Sequence, residues 1–253
     1  MRWDPTQYAR FADHRSRPFF ELTARIGADE PGRVVDLGCG SGELTLTLAQ
    51  RWPGASISGI DSSPEMIARA PQGGGVDFAV GDAAEFDATG VDVLVSNAML
   101  QWVPDHLPLL TRWVQELSAR GWLAFQVPFN FAAPSHRLMR ELAQSPAWRA
   151  QLGGVLRHGD AVATPADYLH HLAGVGLEVD AWQTTYEQVL TGEDPVLEWV
   201  RGTGLRPVLA ALSDEDGARF SAEYAAQLRE AYPARPYGTV FGFARTFVVA
   251  HKP

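Results

Sequence analysis

Residues 33–42 hold the feature of this sequence that most restricts its fold: a β-branched run that ends on an acid, then three glycines at alternate positions. The pattern reads D-x-G-x-G-x-G. Leu44, Leu48 and Trp52 then recur at the spacing of one helix face. A strand, a glycine turn and a helix in this order are typical of nucleotide-binding α/β folds. Because glycine takes positive φ and lets a ligand lie against the backbone, the segment predicts a ligand-binding turn.

The spacing of these glycines separates two classes of cofactor. A dinucleotide fingerprint, G-x-G-x-x-G/A, would have the bulky acid Glu43 as its last residue. Asp36 instead stands two residues before the first glycine, where a carboxylate suits a cationic, amino-acid-like ligand. S-adenosylmethionine has an ammonium, a sulfonium and a ribose, so the sequence predicts this cofactor. The pattern is similar to motif I of class I methyltransferases.

Two further acids end the next two predicted strands. Asp61 stands about where an acid at the end of a second strand meets ribose hydroxyls. Asp82 ends the third strand, where a carboxylate can accept a hydrogen bond from the exocyclic amine of adenine. Met66 is expected to face the adenine ring, with simple core packing as the alternative. The three strand-terminal acids, at intervals of one βα unit, together predict a cofactor site along one edge of a sheet.

Composition excludes several classes of function. The net charge of −9 argues against a nucleic-acid partner, because phosphate binding relies on a basic face. No apolar run approaches the ~18 residues of a membrane span, and the N-terminus lacks the apolar segment of a signal peptide. We therefore expect a cytoplasmic protein without a membrane partner, as a monomer or weak homodimer. Cys39 is the single cysteine, so no internal disulfide and no metal site are expected.

The order of predicted strands and helices indicates an α/β fold in one domain. The resemblance to class I methyltransferases implies a Rossmann-like, mostly parallel seven-stranded sheet with an antiparallel last strand and a helical substrate cap. The core is expected over about 31–128, with further strands at about 176–188 and 238–251. The cap is expected over about 1–30, 129–175 and 189–237.

Five stretches outside motif I carry a more specific resemblance. They are residues 3–5 with Tyr8 and Phe11, residues 15–18, residues 97–98 with 100–102, Trp182 with residues 184–186, and residues 199–200 with 203–207. In these stretches, and over almost the whole chain, the sequence resembles the bacterial trans-aconitate 2-methyltransferases. The resemblance implies methyl transfer from S-adenosylmethionine to one carboxylate of trans-aconitate, a small anionic tricarboxylate, giving a monomethyl ester and S-adenosylhomocysteine.

The residue types agree with an acceptor of this kind. A carboxylate has a reference pKa near ~4 and is ionised at neutral pH, so no residue is expected to act as a general base. Attack on a sulfonium is an in-line displacement in which opposite charges disappear. Proximity, alignment and exclusion of water must then supply the rate. Cationic side chains belong on the carboxylates that do not react.

The candidate site residues fall into two groups. Those expected to bind the cofactor lie at the ends of the first four strands: Asp36, Gly38, Cys39, Gly40, Gly42, Asp61, Ser62, Met66, Asp82, Ala83, Asn97, Gln101 and Trp102. Those expected to bind the substrate are cations and pocket-forming residues near both ends of the chain: Tyr8, His14, Arg15, Arg17, Trp199, Arg206, Tyr237 and Arg245. Arg245 interrupts an apolar strand, where a guanidinium without a partner is costly, and is the strongest candidate for the carboxylate grip.

Three alternatives stay open. The first keeps the methyltransferase class and changes the acceptor to another small polycarboxylate, a hydroxyl or an amine. A hydroxyl acceptor would need a base near the fourth strand, where only Asn97, Gln101 and a more distant His106 stand. A nicotinamide-dependent oxidoreductase is disfavoured by Glu43 and by the lack of a Tyr-x-x-x-Lys pair. A non-catalytic, methyltransferase-like binding module would keep the three acids and lack turnover.

Overall fold

The computed structural model describes residues 12–103, 105–156 and 161–253, and within residues 12–15 it describes the backbone only. The elements are, in chain order, α1 (Ala12–Thr23), β1 (Arg33–Leu37), α2 (Thr45–Arg51), β2 (Ser56–Asp61), α3 (Pro64–Ile67), β3 (Val76–Val80), β4 (Val93–Asn97), a 3₁₀ turn (Leu100–Trp102), α4 (His106–Glu116), β5 (Trp122–Pro128), α5 (Pro134–Ala143), α6 (Arg149–Leu152), α7 (Pro165–Ala173), β6 (Glu178–Leu190), α8 (Pro195–Arg201), α9 (Arg206–Ala211), α10 (Asp214–Ala231) and β7 (Thr239–His251). None of the helices in these ranges is long and apolar enough to cross a membrane.

The strands form one seven-stranded sheet in the order β3-β2-β1-β4-β5-β7-β6. β1 pairs in parallel with β2 and with β4, and the pairs β2–β3 and β4–β5 are also parallel. β7 runs antiparallel to β5. The predicted α/β, Rossmann-like fold, with a mostly parallel sheet and an antiparallel last strand, is confirmed.

The inner parallel strands are buried because apolar side chains occupy both of their faces. In β1 every residue after Arg33 is buried, and in β4 every residue before Asn97 is buried. Branched valines occupy half of these positions, and they fit the pleated backbone of a strand that is covered on both faces. Parallel strands align their carboxyl ends along one edge of the sheet, so the polar residues that follow each strand are brought to that edge.

Several helices begin at residues whose side chains cap them. Ser63 accepts a hydrogen bond from the backbone of the third helical residue of α3, and Ser213 does the same for α10. Thr164 and Asp167 exchange reciprocal hydrogen bonds in a capping box before α7. Because the first N–H groups of a helix lack partners within it, these polar residues set where each helix starts.

The chain divides into two compact units. The first, here called the sheet unit, comprises the described residues of Asp13–Pro128, Ala161–Thr184 and Arg245–Pro253. The second, the helical unit, comprises the described residues of Met1–Ala12, Phe129–Asp160 and Thr185–Ala244. Both β6 and β7 contribute residues to each unit. The organisation as one domain with a core and a substrate cap stays a prediction.

The helical unit has an apolar core of its own, built from large aromatic side chains. Trp148, Phe220 and Tyr224 are fully buried, and the rings of Trp148 and Phe220 meet edge to face with centroids 5.3 Å apart. Trp148 also donates its indole N–H to Glu223 Oε2 at 3.0 Å, which satisfies the one polar atom of this ring. Such aromatic packing stabilises the α5, α8 and α10 region of this unit.

The turn between β1 and α2 depends on a glycine that is itself buried. Gly42 has φ +79°, and a Cβ built on it would lie 2.4 Å from a ring carbon of Phe78 on β3. A side chain at this position would therefore meet both a strained backbone and an occupied space.

We predict that Gly42→Ala lowers the melting temperature and the free energy of unfolding. Left-handed backbone and overpacking together cost roughly 2–5 kcal/mol, measured by thermal and urea denaturation. Gly54→Ala is the control, since Gly54 is exposed, lies outside the positive-φ region and would have no described atom within 4 Å of an added Cβ. Equal stability of the two variants would contradict the prediction.

Candidate active site

The residues predicted to bind the cofactor all lie in the sheet unit, around the carboxyl ends of β1 to β4. The register places Asp36 beside Gly59 of β2 and Val95 of β4, and Asp61 beside Val80 of β3. The glycine turn therefore comes between the ends of the two strands that carry Asp36 and Asp61. This edge of a parallel sheet is where open α/β folds bind their ligands.

The three glycines of the turn all have positive φ, at +81°, +59° and +79° for Gly38, Gly40 and Gly42. A Cβ on Gly38 would lie 2.4 Å from the side chain of Met99, whereas a Cβ on Gly40 would have no described atom within 4 Å. Gly38 and Gly42 therefore permit close packing of the protein on itself. Gly40 leaves an open surface on which a ligand can approach the backbone.

Asp61 ties the turn to the next helix. Its Oδ2 accepts a hydrogen bond from the Gly40 N–H at 2.8 Å, and its Oδ1 accepts one from the Ser63 N–H at 2.9 Å. Each carboxylate oxygen has a second lone pair, so Asp61 can still accept from the two hydroxyls of a ribose. The half-buried carboxylate thus fits the predicted role while it also fixes the loop.

Asp36 is a buried carboxylate with one oxygen that has no hydrogen-bond partner among the described residues. The side chain is 2% exposed; Oδ2 accepts a hydrogen bond from Thr45 Oγ1 at 2.7 Å, and Oδ1 has none. Burial raises the pKa of Asp36 to about 6, the hydrogen bond from Thr45 opposes this rise, and the charge of Asp61 adds to it. A buried acceptor of this kind suits a cationic ligand, so the carboxylate oxygen that lacks a described partner fits the ammonium end of S-adenosylmethionine, which would donate to it.

The remaining cofactor candidates of the first three strands are more exposed or chemically inert. Asp82 is exposed, and its Oδ1 accepts from the Ala84 N–H at 2.8 Å. Ser62 is exposed, whereas Met66 on α3 and Ala83 are half-buried. Burial raises the pKa of the Cys39 thiol well above its usual range, and the nearby charges of Asp36 and Asp61 add to the effect. A thiol held protonated in this way suits packing in the loop and not nucleophilic attack.

The end of β4 turns sharply before the 3₁₀ turn. Asn97 is half-buried, and Ala98, with φ +56°, donates its N–H to the carbonyl of Gln126 at 2.9 Å. Gln101 donates its side-chain Nε2 back to the carbonyl of Ala98 at 2.6 Å. The indole of Trp102 is 49% exposed. Polar and aromatic side chains therefore stand together at this strand end.

Arg245 lies in the interior of the sheet unit. Its side chain is 7% exposed, and Nη1 donates to Gln126 Oε1 at 3.0 Å. Gln126 in turn donates Nε2 to Asn97 Oδ1 at 2.6 Å, so a row of polar side chains crosses three adjacent strands. Gln126 was not among the residues predicted from the sequence. The signal that could have found it is an amide within the apolar run of β5.

The other substrate candidates are distributed over the chain. Tyr8 and the side chains of His14 and Arg15 lie outside the described residues, and Arg17 is exposed on α1. Three candidates belong to the helical unit: Trp199, Arg206 and Tyr237.

Within the helical unit these three residues differ in exposure. Trp199 is 2% exposed, and its ring packs with those of Phe241 and Phe243 at centroid distances of 5.7 Å. Arg206 is the half-buried first residue of α9, and Tyr237 is 64% exposed just before β7. Trp199 therefore contributes to the apolar core of its unit. The roles of all three in substrate binding stay predictions.

His106 is the one histidine that the sequence offers as a possible base near β4. It is 5% exposed, and its Nε2 shares a 2.7 Å hydrogen bond with the hydroxyl of Tyr168. Burial lowers the pKa of His106. Both features suit a neutral, structural histidine that fastens α4 to α7. In the part of the chain that the structure describes, no group of three or more His, Cys, Asp or Glu residues could hold a metal ion.

Comparisons with known proteins agree with this arrangement. Residues 10–181 match the family model of the methyltransferase domain. The trans-aconitate 2-methyltransferase of Streptomyces avermitilis is 55% identical over 260 residues, which cover 99% of this chain and 97% of that protein. The trans-aconitate 2-methyltransferase of Mycobacterium sp. strain KMS is 53% identical, with 98% of each chain covered.

A solved structure shows the same fold at low identity. Haemonchus contortus phosphoethanolamine N-methyltransferase 2, in complex with S-adenosyl-L-methionine, superimposes with a TM-score of 0.55 and 17% identity, over 94% of this chain and 52% of that one. The sheet order and the matched family model thus define a methyltransferase domain with a Rossmann-like α/β fold. With relatives above half identity over nearly its full length, the chain belongs to the trans-aconitate 2-methyltransferase family.

We predict that Gly40→Ala weakens cofactor binding while the protein stays folded. The methyl group would occupy the open surface at the turn and raise the Kd for S-adenosylhomocysteine at least about tenfold, whereas left-handed alanine costs only about 1–2 kcal/mol of stability. Isothermal titration calorimetry measures the affinity. Gly73→Ala is a matched control, because Gly73 also has positive φ and open space around its Cβ position. Similar losses in the two variants would count against the prediction.

We predict that protons compete with the cofactor at Asp36. The carboxyl has a pKa of about 6 in the free protein, and a bound ammonium would lower it, so binding releases a proton below that pH. The Kd for S-adenosylhomocysteine should rise up to about tenfold per pH unit as the pH falls below 6, and stay level from 6.5 to 7.5. Titrations from pH 5 to 7.5 measure this.

Asp36→Asn separates this effect from general acid sensitivity. The variant keeps the shape of the side chain and cannot ionise, so it should bind more weakly at pH 7.5 and lose the dependence below pH 6. A slope in the variant equal to that of the unmodified protein would contradict the assignment to Asp36.

Proposed function

We propose that the protein transfers the methyl group of S-adenosylmethionine to one carboxylate of trans-aconitate, giving the monomethyl ester and S-adenosylhomocysteine. The relatives named trans-aconitate 2-methyltransferase support this reaction, because they match this chain over nearly its whole length. The structural observation that carries the acceptor class is the buried guanidinium of Arg245, on the strand beside β5 in the sheet unit. A cation in that position favours an anionic ligand.

The residues of the glycine turn would hold the cofactor. Asp36 would bind its ammonium through the oxygen that lacks a described partner, and Asp61 would accept from the ribose hydroxyls. Gly40 would allow close approach of the ligand to the backbone. When bound, S-adenosylmethionine supplies an electrophilic methyl group on a cationic sulfur.

The acceptor requires no proton transfer in the proposed reaction. Its carboxylates are ionised at neutral pH, since the reference pKa of such groups is near ~4. His106 is the histidine that follows β4 most closely in the sequence. Its Nε2 is hydrogen-bonded to the hydroxyl of Tyr168, and burial lowers its pKa, which favours the neutral ring. The protein therefore contributes orientation and exclusion of water. Together these lower the activation barrier by roughly 7–11 kcal/mol at best.

The proposed role of Arg245 is to bind a carboxylate that does not react. Strong hydrogen bonds to the attacking oxygen would stabilise the ground state more than the transition state and slow the reaction. A guanidinium binds a carboxylate through two parallel N–H donors, which fixes the orientation of the whole acid. Arg17, together with His14 and Arg15, is a further proposed contact for the remaining carboxylates, and the substrate-binding role of Arg206 stays a prediction.

A second candidate acceptor is another small polycarboxylate. The buried position of Arg245 supports any acid of similar size, because the contact recognises a carboxylate and not the carbon skeleton. A hydroxyl acceptor has less support, since it needs a base and His106 is already bonded to Tyr168.

We predict that the purified protein forms S-adenosylhomocysteine fastest with trans-aconitate in a panel that also contains cis-aconitate, citrate and isopropylmalate. The geometry of the double bond fixes the angle between the reacting and the gripped carboxylates, so the cis isomer should have a lower kcat/KM. Liquid chromatography of S-adenosylhomocysteine and of the ester measures both products. Tight cofactor binding without turnover of any acid would overturn the proposed reaction.

Replacement of Arg245 tests the proposed grip in the same assay. Loss of one partner of a buried, charged hydrogen-bond pair costs about 2–5 kcal/mol, so Arg245→Met should lower kcat/KM at least about 30-fold, mostly through KM. Arg137→Met is the matched control, because Arg137 pairs with Glu141 on an exposed helix face. A KM for trans-aconitate that is unchanged in a folded Arg245→Met protein would contradict this role.

A further inference from the structure

A buried amide stands beside Arg245 in the interior of the sheet unit. Gln126 is 1% exposed, and its neighbours in β5, from Leu123 to Val127, are apolar and equally buried. Burial of a primary amide is costly unless its oxygen and its N–H groups have hydrogen-bond partners. A glutamine in this strand therefore has a specific reason to be there.

The register explains which residues Gln126 contacts. Asn97 of β4 lies directly beside Gln126, whereas Arg245 of β7 lies opposite Pro128, two residues farther along β5. Side chains two residues apart point to the same face of a sheet, and a long side chain can reach its diagonal neighbour. Asn97, Gln126 and Arg245 thus form one polar row on one face of three adjacent strands.

The chemistry of the row fixes the direction of each amide. A guanidinium has only donors, so the group that faces Arg245 Nη1 at 3.0 Å must be the carbonyl oxygen of Gln126. The Nε2 of Gln126 then points toward β4 and donates to Asn97 Oδ1 at 2.6 Å. Asn97 anchors one end of the Gln126 amide, and the other end orients the guanidinium.

The neutral charge of the glutamine distinguishes this contact from an ion pair. A glutamate here would also accept from Arg245, but its negative charge would offset that of the guanidinium and weaken attraction for an anionic ligand. Gln126 orders the guanidinium and adds no charge of its own. The contact restricts the long arginine side chain before a ligand arrives, which lowers the entropy lost on binding.

We propose that Gln126 is a positioning residue for the acceptor: it holds the guanidinium of Arg245 in one orientation, through a neutral contact that leaves its attraction for a carboxylate in place. This inference rests on the proposed function, because it assigns Arg245 to an anionic acceptor. It names Gln126 as a determinant of specificity for acids.

The test is a set of kinetic measurements on Gln126→Glu, Arg245→Met and the double variant. Gln126→Glu keeps the shape of the side chain, and its added charge should raise the KM for trans-aconitate at least about tenfold. The kcat and the Kd for S-adenosylhomocysteine should change less than about threefold, because the amide of Asn97 can rotate and donate to the new carboxylate. Gln183→Glu adds the same charge at an exposed position of β6 and should leave the KM for trans-aconitate, the kcat and the Kd for S-adenosylhomocysteine unchanged.

The double variant separates positioning from a general structural defect. In the Arg245→Met background a buried carboxyl at position 126 has lost its cationic neighbour and stays protonated, so it adds no charge. If Gln126 acts through Arg245, the KM of Gln126→Glu/Arg245→Met should therefore stay within about twofold of that of Arg245→Met alone. Two effects that multiply, or an unchanged KM in folded Gln126→Glu, would overturn the proposal.

A second readout does not need turnover. Each acid of the panel is added to the complex with S-adenosylhomocysteine, and the shift in melting temperature reports acceptor binding. If an acid stabilises the unmodified protein but is not methylated by it, the proposed reaction is overturned. Loss of that stabilisation in Gln126→Glu would then still support the positioning role, and retention of the stabilisation would overturn that role. An unmodified protein stabilised by none of the acids would overturn both.

Discussion

The turn between β1 and α2 is the constraint on which the rest of the site depends. Within five residues the backbone passes through positive φ three times, at Gly38, Gly40 and Gly42. The turn is then fastened to β2, because Gly38 and Cys39 donate their N–H groups to the carbonyl of Ile60 at 2.7 and 3.1 Å. These contacts bring the strand ends that carry Asp36 and Asp61 together at one edge of the sheet.

Two buried charges of opposite sign follow from the same sheet register. Asp36 lies beside Val95, two residues before Asn97, so its side chain shares a face with the row of Asn97, Gln126 and Arg245. One face of the sheet unit thus holds a carboxylate suited to a cationic ligand and, two strands beyond β4, a guanidinium suited to an anionic one. A protein of net charge −9 repels anions at long range, but salt in the solvent screens that field over ~8 Å, so the proposed binding of an anionic acceptor would depend on a local cation.

The sequence was enough to predict the sheet and the acids at its strand ends, because both depend on local patterns; the role of these acids in cofactor binding stays a prediction. Apolar runs such as that of β4 predict the strands, and the glycine turn marks the end of β1. The caps at Ser63 and Thr164 set where their helices begin. The acids at strand ends needed only the rule that parallel strands align their carboxyl ends. Trp199 packs in the core of the helical unit, and the spacing of an aromatic residue alone does not show whether it also faces a ligand, so its predicted role stays a prediction.

Gln126 could not be assigned from the sequence because its role depends on a pairing between distant segments. Its contact with Arg245 spans 119 residues and requires the antiparallel register of β5 and β7, in which Pro128 faces Arg245. A shift of that register by one residue would turn Arg245 to the other face of the sheet. The buried arginine is therefore specified twice, by the strand pairing that selects its face and by the amide that selects its orientation. Both are conditions for the proposed contact, in which the guanidinium meets a carboxylate in a single geometry. In the proposed reaction, which needs no general base, such geometry is the main contribution that a protein can make.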